Sequence, residues 1–89
     1  MFNIRDKVRI KKIHRYKIVD EARLELERFD YTGTVAGLDS THVIMYIKGL
    51  NWKTSIMLAG YPSGSLVYIL KDWLEKMDQD IIIDGESYS

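Results

Sequence analysis

Phe2, Ile4, Val8 and Ile10 fall on even positions, and Arg5, Lys7, Arg9 and Lys11 on the odd positions between them. A period of two marks a strand with one face buried and the other in water. The wet face would be a row of cations, which also discourages pairing with another chain should the strand lie at a sheet edge.

From Ile18 to Phe29 the pattern admits two readings. Ala22, Leu24 and Leu26 alternate with Glu21, Arg23, Glu25 and Glu27 as a strand would. On a helix, Val19, Ala22, Leu26 and Phe29 share one face and only Leu24 is misplaced. The abundance of Glu, Arg, Leu and Ala, with Asp20 as a candidate N-cap, favours a short helix. Tyr31-Thr32-Gly33-Thr34-Val35-Ala36-Gly37 is β-branched and aromatic, Leu38 to His42 offers turn chemistry, and Val43 to Ile47 resumes an apolar run, so a hairpin is expected. After a turn at Lys48-Gly49-Leu50-Asn51, Trp52, Thr54, Ile56 and Leu58 alternate with Lys53, Ser55 and Met57, predicting a third strand of the meander. Ala59 to Ser65 contains the single proline, Pro62, and reads as a loop.

Leu66, Leu70, Trp73, Leu74 and Met77 fit one face of a helix, with Lys71–Glu75 and Asp72–Lys76 as i,i+4 pairs. The alternative is a closing strand over Leu66 to Leu70 followed by a shorter helix. Ile81-Ile82-Ile83 suggests a final edge strand before Asp84-Gly85 leads into a polar, frayed tail from about residue 84.

Composition narrows the class. The 89 residues are 46% hydrophobic and 29% charged, which is ordinary for one folded domain and unlike a disordered chain. The absence of cysteine removes disulfides, thiolate nucleophiles and Cys-type metal ligation. With no apolar signal run after Met1, it points to the cytoplasm. The longest apolar stretch, Leu66 to Leu70, is far short of a membrane span, so no membrane is expected. Net charge is zero, but basic residues crowd the start of the chain and acidic residues the end. That asymmetry allows a basic face for nucleic acid, and equally allows the two ends to lie together as an ion-pair network.

Asp6-Lys7-Val8-Arg9-Ile10, then Tyr31 to Asp39, then Val43-Ile44-Met45-Tyr46 resembles the SH3-like small barrels of the KOW type. The first strand there carries a D-x-V-x-I pattern, and a Gly-x-Val step opens a curled hairpin. In this reading Gly33 lets the strand bend and Val35 returns a side chain to the core. The resemblance covers about residues 4 to 47 and implies a module that binds RNA, the ribosome or a protein.

Candidate chemistry is sparse. His14 and His42 are the only histidines, and no carboxylate stands at a metal-ligand interval from both, so no metal site and no cofactor are expected. Asp39-Ser40-Thr41-His42 brings together the residue types of a catalytic triad, but turn preferences explain the run better than nucleophilic catalysis does. Gly60 to Ser65 lacks the lysine and spacing of a phosphate loop, and Ser63 or Ser65 reads as an N-cap. Six tyrosines and two tryptophans are many for so short a chain, and those left on the surface favour binding.

The expected fold is mainly β with α additions (α+β): an SH3-like small barrel or curled antiparallel sheet of about four or five strands, with one or two helices. The expected function is not enzymatic. It is a small binding module that recognises another protein and inhibits or regulates it, in the manner of compact regulators such as phage-encoded modulators of host enzymes or defences. Trp52, Tyr61 and Tyr46 are its candidate protein-binding residues, and self-association is compatible with the small size. The alternative is a KOW-like RNA- or DNA-binding barrel using Lys7, Arg9, Lys11, Lys12 and Arg15, and a third reading is a small-ligand or nucleotide-binding protein.

Overall fold

The computed structural model describes residues 1–59 and 64–77. Tyr61, Pro62, Ser63, the expected strand at Ile81-Ile82-Ile83 and the tail from residue 84 lie outside the described residues. The elements run β1 (Lys7–Ile10), α1 (Lys12–Arg15), α2 (Asp20–Glu27), β2 (Thr32–Leu38), β3 (His42–Tyr46), α3 (Trp52–Met57), β4 (Leu66–Leu70), a single 3₁₀ turn (Lys71–Trp73) and β5 (Leu74–Lys76). This is a small α+β fold on one antiparallel five-stranded sheet of order β4-β3-β2-β1-β5.

The first strand follows the alternation of its sequence. Val8 and Ile10 are fully buried, while Lys7 faces solvent and Arg9 is half-buried. Upstream, Phe2 is half-buried but Ile4 is exposed, and the backbone leaves the extended region at Arg5 (φ 79°), so the period of two does not extend back through Ile4. β1 is an interior strand. It pairs with β2 through Lys7↔Thr34 and Arg9↔Thr32, and with β5 through Arg9↔Glu75 and Ile10↔Leu74.

The segment after β1 is helical. α2 buries Ala22 and Leu26, which are i,i+4 neighbours on one face. Val19 and Leu24 are exposed and Phe29 packs half-buried against the core. Asp20 is not the cap: Val19 occupies that position without a side-chain bond, and the Asp20 carboxylate instead accepts from Arg23 at 2.5 Å. At the other end Asp30 and Tyr31 both take left-handed φ of 56°, an uncommon conformation for a bulky residue. Tyr31 is held there from several sides. Its N–H donates to Leu26 O, its carbonyl accepts from Ile10 N, and the Arg15 guanidinium lies 4.0 Å from its ring centre.

The β2–β3 hairpin forms where expected, with Val35, Val43 and Met45 in the core. The register shifts between Val35 and Gly37, a bulge that strengthens local twist. At Gly33 the requirement is closeness: a Cβ there would stand 2.7 Å from Met45 Cγ, 2.8 Å from Tyr46 O and 2.9 Å from Ile47 Cγ1.

Two expectations are corrected. Trp52 to Leu58 is not a strand but the helix α3 and its C-cap. Asn51 caps it, its side chain accepting from Lys53 N at 2.8 Å, and burial falls on Thr54, Ser55 and in part Leu58 while Ile56 stays exposed. That is helical spacing. Leu66 to Met77 is not one helix. β4 buries Val67 and Ile69 and turns Leu66, Tyr68 and Leu70 the other way, and the 3₁₀ turn then leads into β5. The closing-strand alternative therefore describes Leu66 to Leu70, and no helix follows Ser65 for it to cap. α3 also shields the β4 edge, since Ser55 Oγ donates to Leu66 O and Tyr68 N donates to Leu58 O. No helix among the described residues is long and apolar enough to cross a membrane.

Val8→Ala and Ile10→Ala should each lower the unfolding free energy by about 1–4 kcal/mol, and Lys7→Ala by less than about 0.5 kcal/mol. Gly33→Ala should cost about 1–3 kcal/mol, because the added methyl meets backbone and core together. Urea unfolding of the four variants checks this. Equal small losses at Val8, Ile10 and Lys7 would contradict the placement of β1.

Candidate protein-binding face

The helices pack on one side of the sheet. Ile18, Ala22, Leu26 and Leu50 join the inward residues of the strands in a single buried cluster. Register determines what remains on the other side, because residues directly opposite in antiparallel strands point the same way. The pairs Tyr46↔Leu66, Ile44↔Tyr68 and His42↔Leu70 therefore form three adjacent apolar or aromatic rows on the outer face. Gly37 lies opposite Ile44 on β2, so the Ile44 side chain spreads over a position without one. Tyr46, Leu70 and Tyr68 remain 42%, 41% and 36% exposed. Toward β1 the same face becomes polar, through Thr34, Lys7, Thr32 and Arg9.

One carboxylate holds the hairpin turn against the edge strand. Asp39 Oδ1 accepts from Thr41 N at 2.9 Å and His42 N at 2.7 Å, and Oδ2 accepts from the Tyr68 hydroxyl at 2.5 Å. His42 and Tyr68, diagonal neighbours across β3 and β4, stack with ring centres 4.2 Å apart and planes within 5°. The Tyr68 hydroxyl first, then the two N–H groups, hold the Asp39 pKa far below the ordinary carboxylate range. The residues Asp39-Ser40-Thr41-His42 thus form a side-chain-capped turn. The His42 Nδ1 contact is to Thr41 Oγ1 at 2.7 Å, which is not the serine–histidine geometry of a nucleophilic site.

The candidates from the sequence fall in different places. Tyr46 lies on the outer face, in the end row opposite Leu66. Trp52 is 54% exposed and stands in the first turn of α3, not on a strand, with the Lys53 ammonium 5.8 Å from its ring. Tyr61 lies outside the described residues. Of the five cations, Arg9 is engaged with Asp30 at 3.2 Å and Glu75 at 3.8 Å. Arg15 donates from Nε to Ile10 O and covers Tyr31. Lys7 lies on the outer face, Lys12 is exposed at the start of α1, and Lys11 is half-buried between β1 and α1. The five do not form one basic stripe. The β1–β5 pairing instead sets basic residues beside acidic ones, and Lys76 reaches Asp6 at 3.3 Å.

Tyr68, Ile44, Leu70 and His42 were not among the sequence candidates. Leu66, Tyr68 and Leu70 alternate with Val67 and Ile69, the signal that would have found three of the outer positions. Elsewhere, a shallow groove of about 260 Å³ between α2 and α3 brings exposed Leu24 and Met57 together under Glu25, Arg28 and Lys53. His14 stacks on Trp73 at 5.4 Å, and Lys17 Nζ lies 3.1 Å from its Nδ1. Loss of solvent around the ring, then Lys17 and Lys11, hold His14 below its ordinary pKa, with Asp72 opposing. Among the described residues no group of three or more His, Asp or Glu side chains is placed to hold a metal ion.

The depressed pKa of Asp39 means that its ionised form favours the fold. That contribution is complete well above the unfolded carboxylate value of about 3.9, and is lost as pH falls through the lower folded value. Wild type should therefore melt above Asp39→Asn at pH 6, with the gap shrinking below about pH 4. Thermal unfolding of both proteins between pH 6 and pH 2 measures it; a gap that stays constant to pH 2 would remove the carboxylate from this role.

Comparison of the chain with protein-family models, with curated proteins and with solved structures finds no significant match to any of them.

Proposed function

We propose that this chain is a non-enzymatic binding module that recognises another protein through the outer face of its sheet. The observation that carries the reading is the set of rows Tyr46–Leu66, Ile44–Tyr68 and Leu70–His42, apolar and aromatic side chains left open on the face opposite the helices. Aromatic residues on a rigid sheet make economical anchors, because little side-chain entropy remains to be lost on binding. The face is also held in shape before any partner arrives, by the Asp39–Tyr68 hydrogen bond and the His42–Tyr68 stack.

The proposal extends to the fold type. A meander from β1 to β4, a β5 that returns to β1, the bulge after Val35 and the close approach at Gly33 are means by which so small a sheet would curl as an SH3-like barrel does. Nucleic acid is the weaker partner in this reading, because Arg9 is already paired with Asp30 and Glu75 and Arg15 with Ile10 O and the Tyr31 ring.

The test uses the intact chain immobilised for capture from host lysate, with and without nuclease, followed by affinity measurement on the captured protein. Tyr46→Ala should weaken that complex by about 2 kcal/mol, roughly thirtyfold, with little change in melting temperature. Affinity that falls steeply with salt, or capture abolished by nuclease, would favour the nucleic-acid reading instead. An unchanged affinity for Tyr46→Ala and Leu70→Ser would reject the face.

A further inference from the structure

At the Leu70 end of β4 the outer face passes into a cavity of about 240 Å³. Leu58, Ile69 and Leu70 give it an apolar lining, and His42, Tyr68 and Trp73 contribute rings. Among the described residues, those that line it include no Lys, Arg, Asp or Glu. An apolar cavity of about 150 Å³ already takes a benzene ring, whereas drug-sized ligands occupy about 300–1,000 Å³. The space therefore suits one ring system. A charged group would give up hydration there, and the nearby Asp39 carboxylate already accepts from the Tyr68 hydroxyl and from the Thr41 and His42 N–H groups, while a neutral aromatic group would gain contacts with Tyr68 and Trp73. His42 adds direction. Its Nδ1 is taken up by Thr41 Oγ1 and its ring is held parallel to Tyr68, so among the described residues Nε2 is the ring nitrogen left to meet a hydroxyl, which can donate or accept.

We infer that this cavity receives a tyrosine or tryptophan side chain of the partner protein, an inference that rests on the protein-binding reading above. His42, Tyr68 and Leu70 belong both to the cavity and to the outer face. A partner segment lying over Tyr46 and Ile44 thus meets the cavity at the end of the same rows. Interface energy concentrates where a buried aromatic anchor fills a pocket ringed by contacts that exclude water, and a lining of uncharged side chains among the described residues favours such an anchor over a phosphate or a solvated ammonium.

The test titrates the isotope-labelled intact chain with N-acetyl-L-tyrosinamide, N-acetyl-L-leucinamide and adenosine 5′-monophosphate, following backbone amides by NMR. Tyrosinamide should shift the amides of His42, Ile69, Leu70 and Trp73 at concentrations about tenfold below those leucinamide needs. Leu70→Arg, which sets a charge at the cavity, should abolish these shifts. Should that variant lose its dispersed spectrum, His42→Gln gives the second measurement and should weaken tyrosinamide binding several-fold. Absence of shifts with tyrosinamide, or equal binding of leucinamide, overturns the inference, and preferential binding of the mononucleotide overturns it in favour of a nucleotide site. The two proposals fail separately: an empty cavity in a protein whose capture still depends on Tyr46 rejects the aromatic anchor and leaves the sheet face standing.

Discussion

A five-stranded sheet has two faces, and the described helices cover one of them. Val8, Ile10, Val35, Val43, Met45, Val67, Ile69 and Leu74 all point to the covered side, where Ile18, Ala22, Leu26 and Leu50 meet them. α1 and α3 have only four and six residues, and even α2 has only eight. Helices of that length are marginal alone and depend on the sheet beneath them. What the inner face gains in burial, the outer face keeps as exposed tyrosine and leucine. An exposed apolar face of this kind is a liability unless something binds it.

The same limitation explains the placement of charge. The cationic first strand looks from its sequence like an edge or a nucleic-acid surface, yet it lies inside the sheet with β5 against it. Arg9 meets Glu75 across that pairing and Asp30 from the turn after α2. With side chains 37%, 48% and 72% exposed, these pairs contribute little stability each. Their effect is on specificity of arrangement, since opposite charges favour this pairing and like charges would disfavour another. Arg15 does more by packing: its guanidinium covers a tyrosine held in left-handed backbone, where losing the cover would expose a strained residue to water.

The parts of the fold legible in the sequence are those where one period held without competition. β1 alternates over its length, the hairpin combines β-branched runs with turn chemistry at Leu38 to His42, and α2 was recoverable because helix-forming composition outweighed the single misplaced Leu24. Trp52 to Leu58 misled because a seven-residue alternation also contains the i,i+4 pair Thr54 and Leu58, and burial chose that pair; Asn51, a good N-cap, was the signal against a strand. Leu66 to Met77 misled for the opposite reason. A helical period was traced across what are three elements, and the β-branched Val67 and Ile69 with Gly64 ahead of them were the evidence for a strand. Tyr46 was legible as a surface aromatic because its strand was read correctly. Tyr68 was missed because a residue assigned to the wrong period is assigned to the wrong face.

Tyr68 connects the two levels of the structure. Its backbone belongs to an edge strand capped by α3, its ring stacks on His42, and its hydroxyl ends on the carboxylate that shapes the β2–β3 turn. A free tyrosine on a sheet surface would have to be ordered by its partner at a cost in entropy, but here the protein has already ordered it. The hydrogen bond that closes the turn therefore also aims the ring that a partner would meet. Turn stability and the shape of the outer face are properties of one contact, so loosening the turn at Asp39 would disturb the proposed binding face from the opposite end of the side chain.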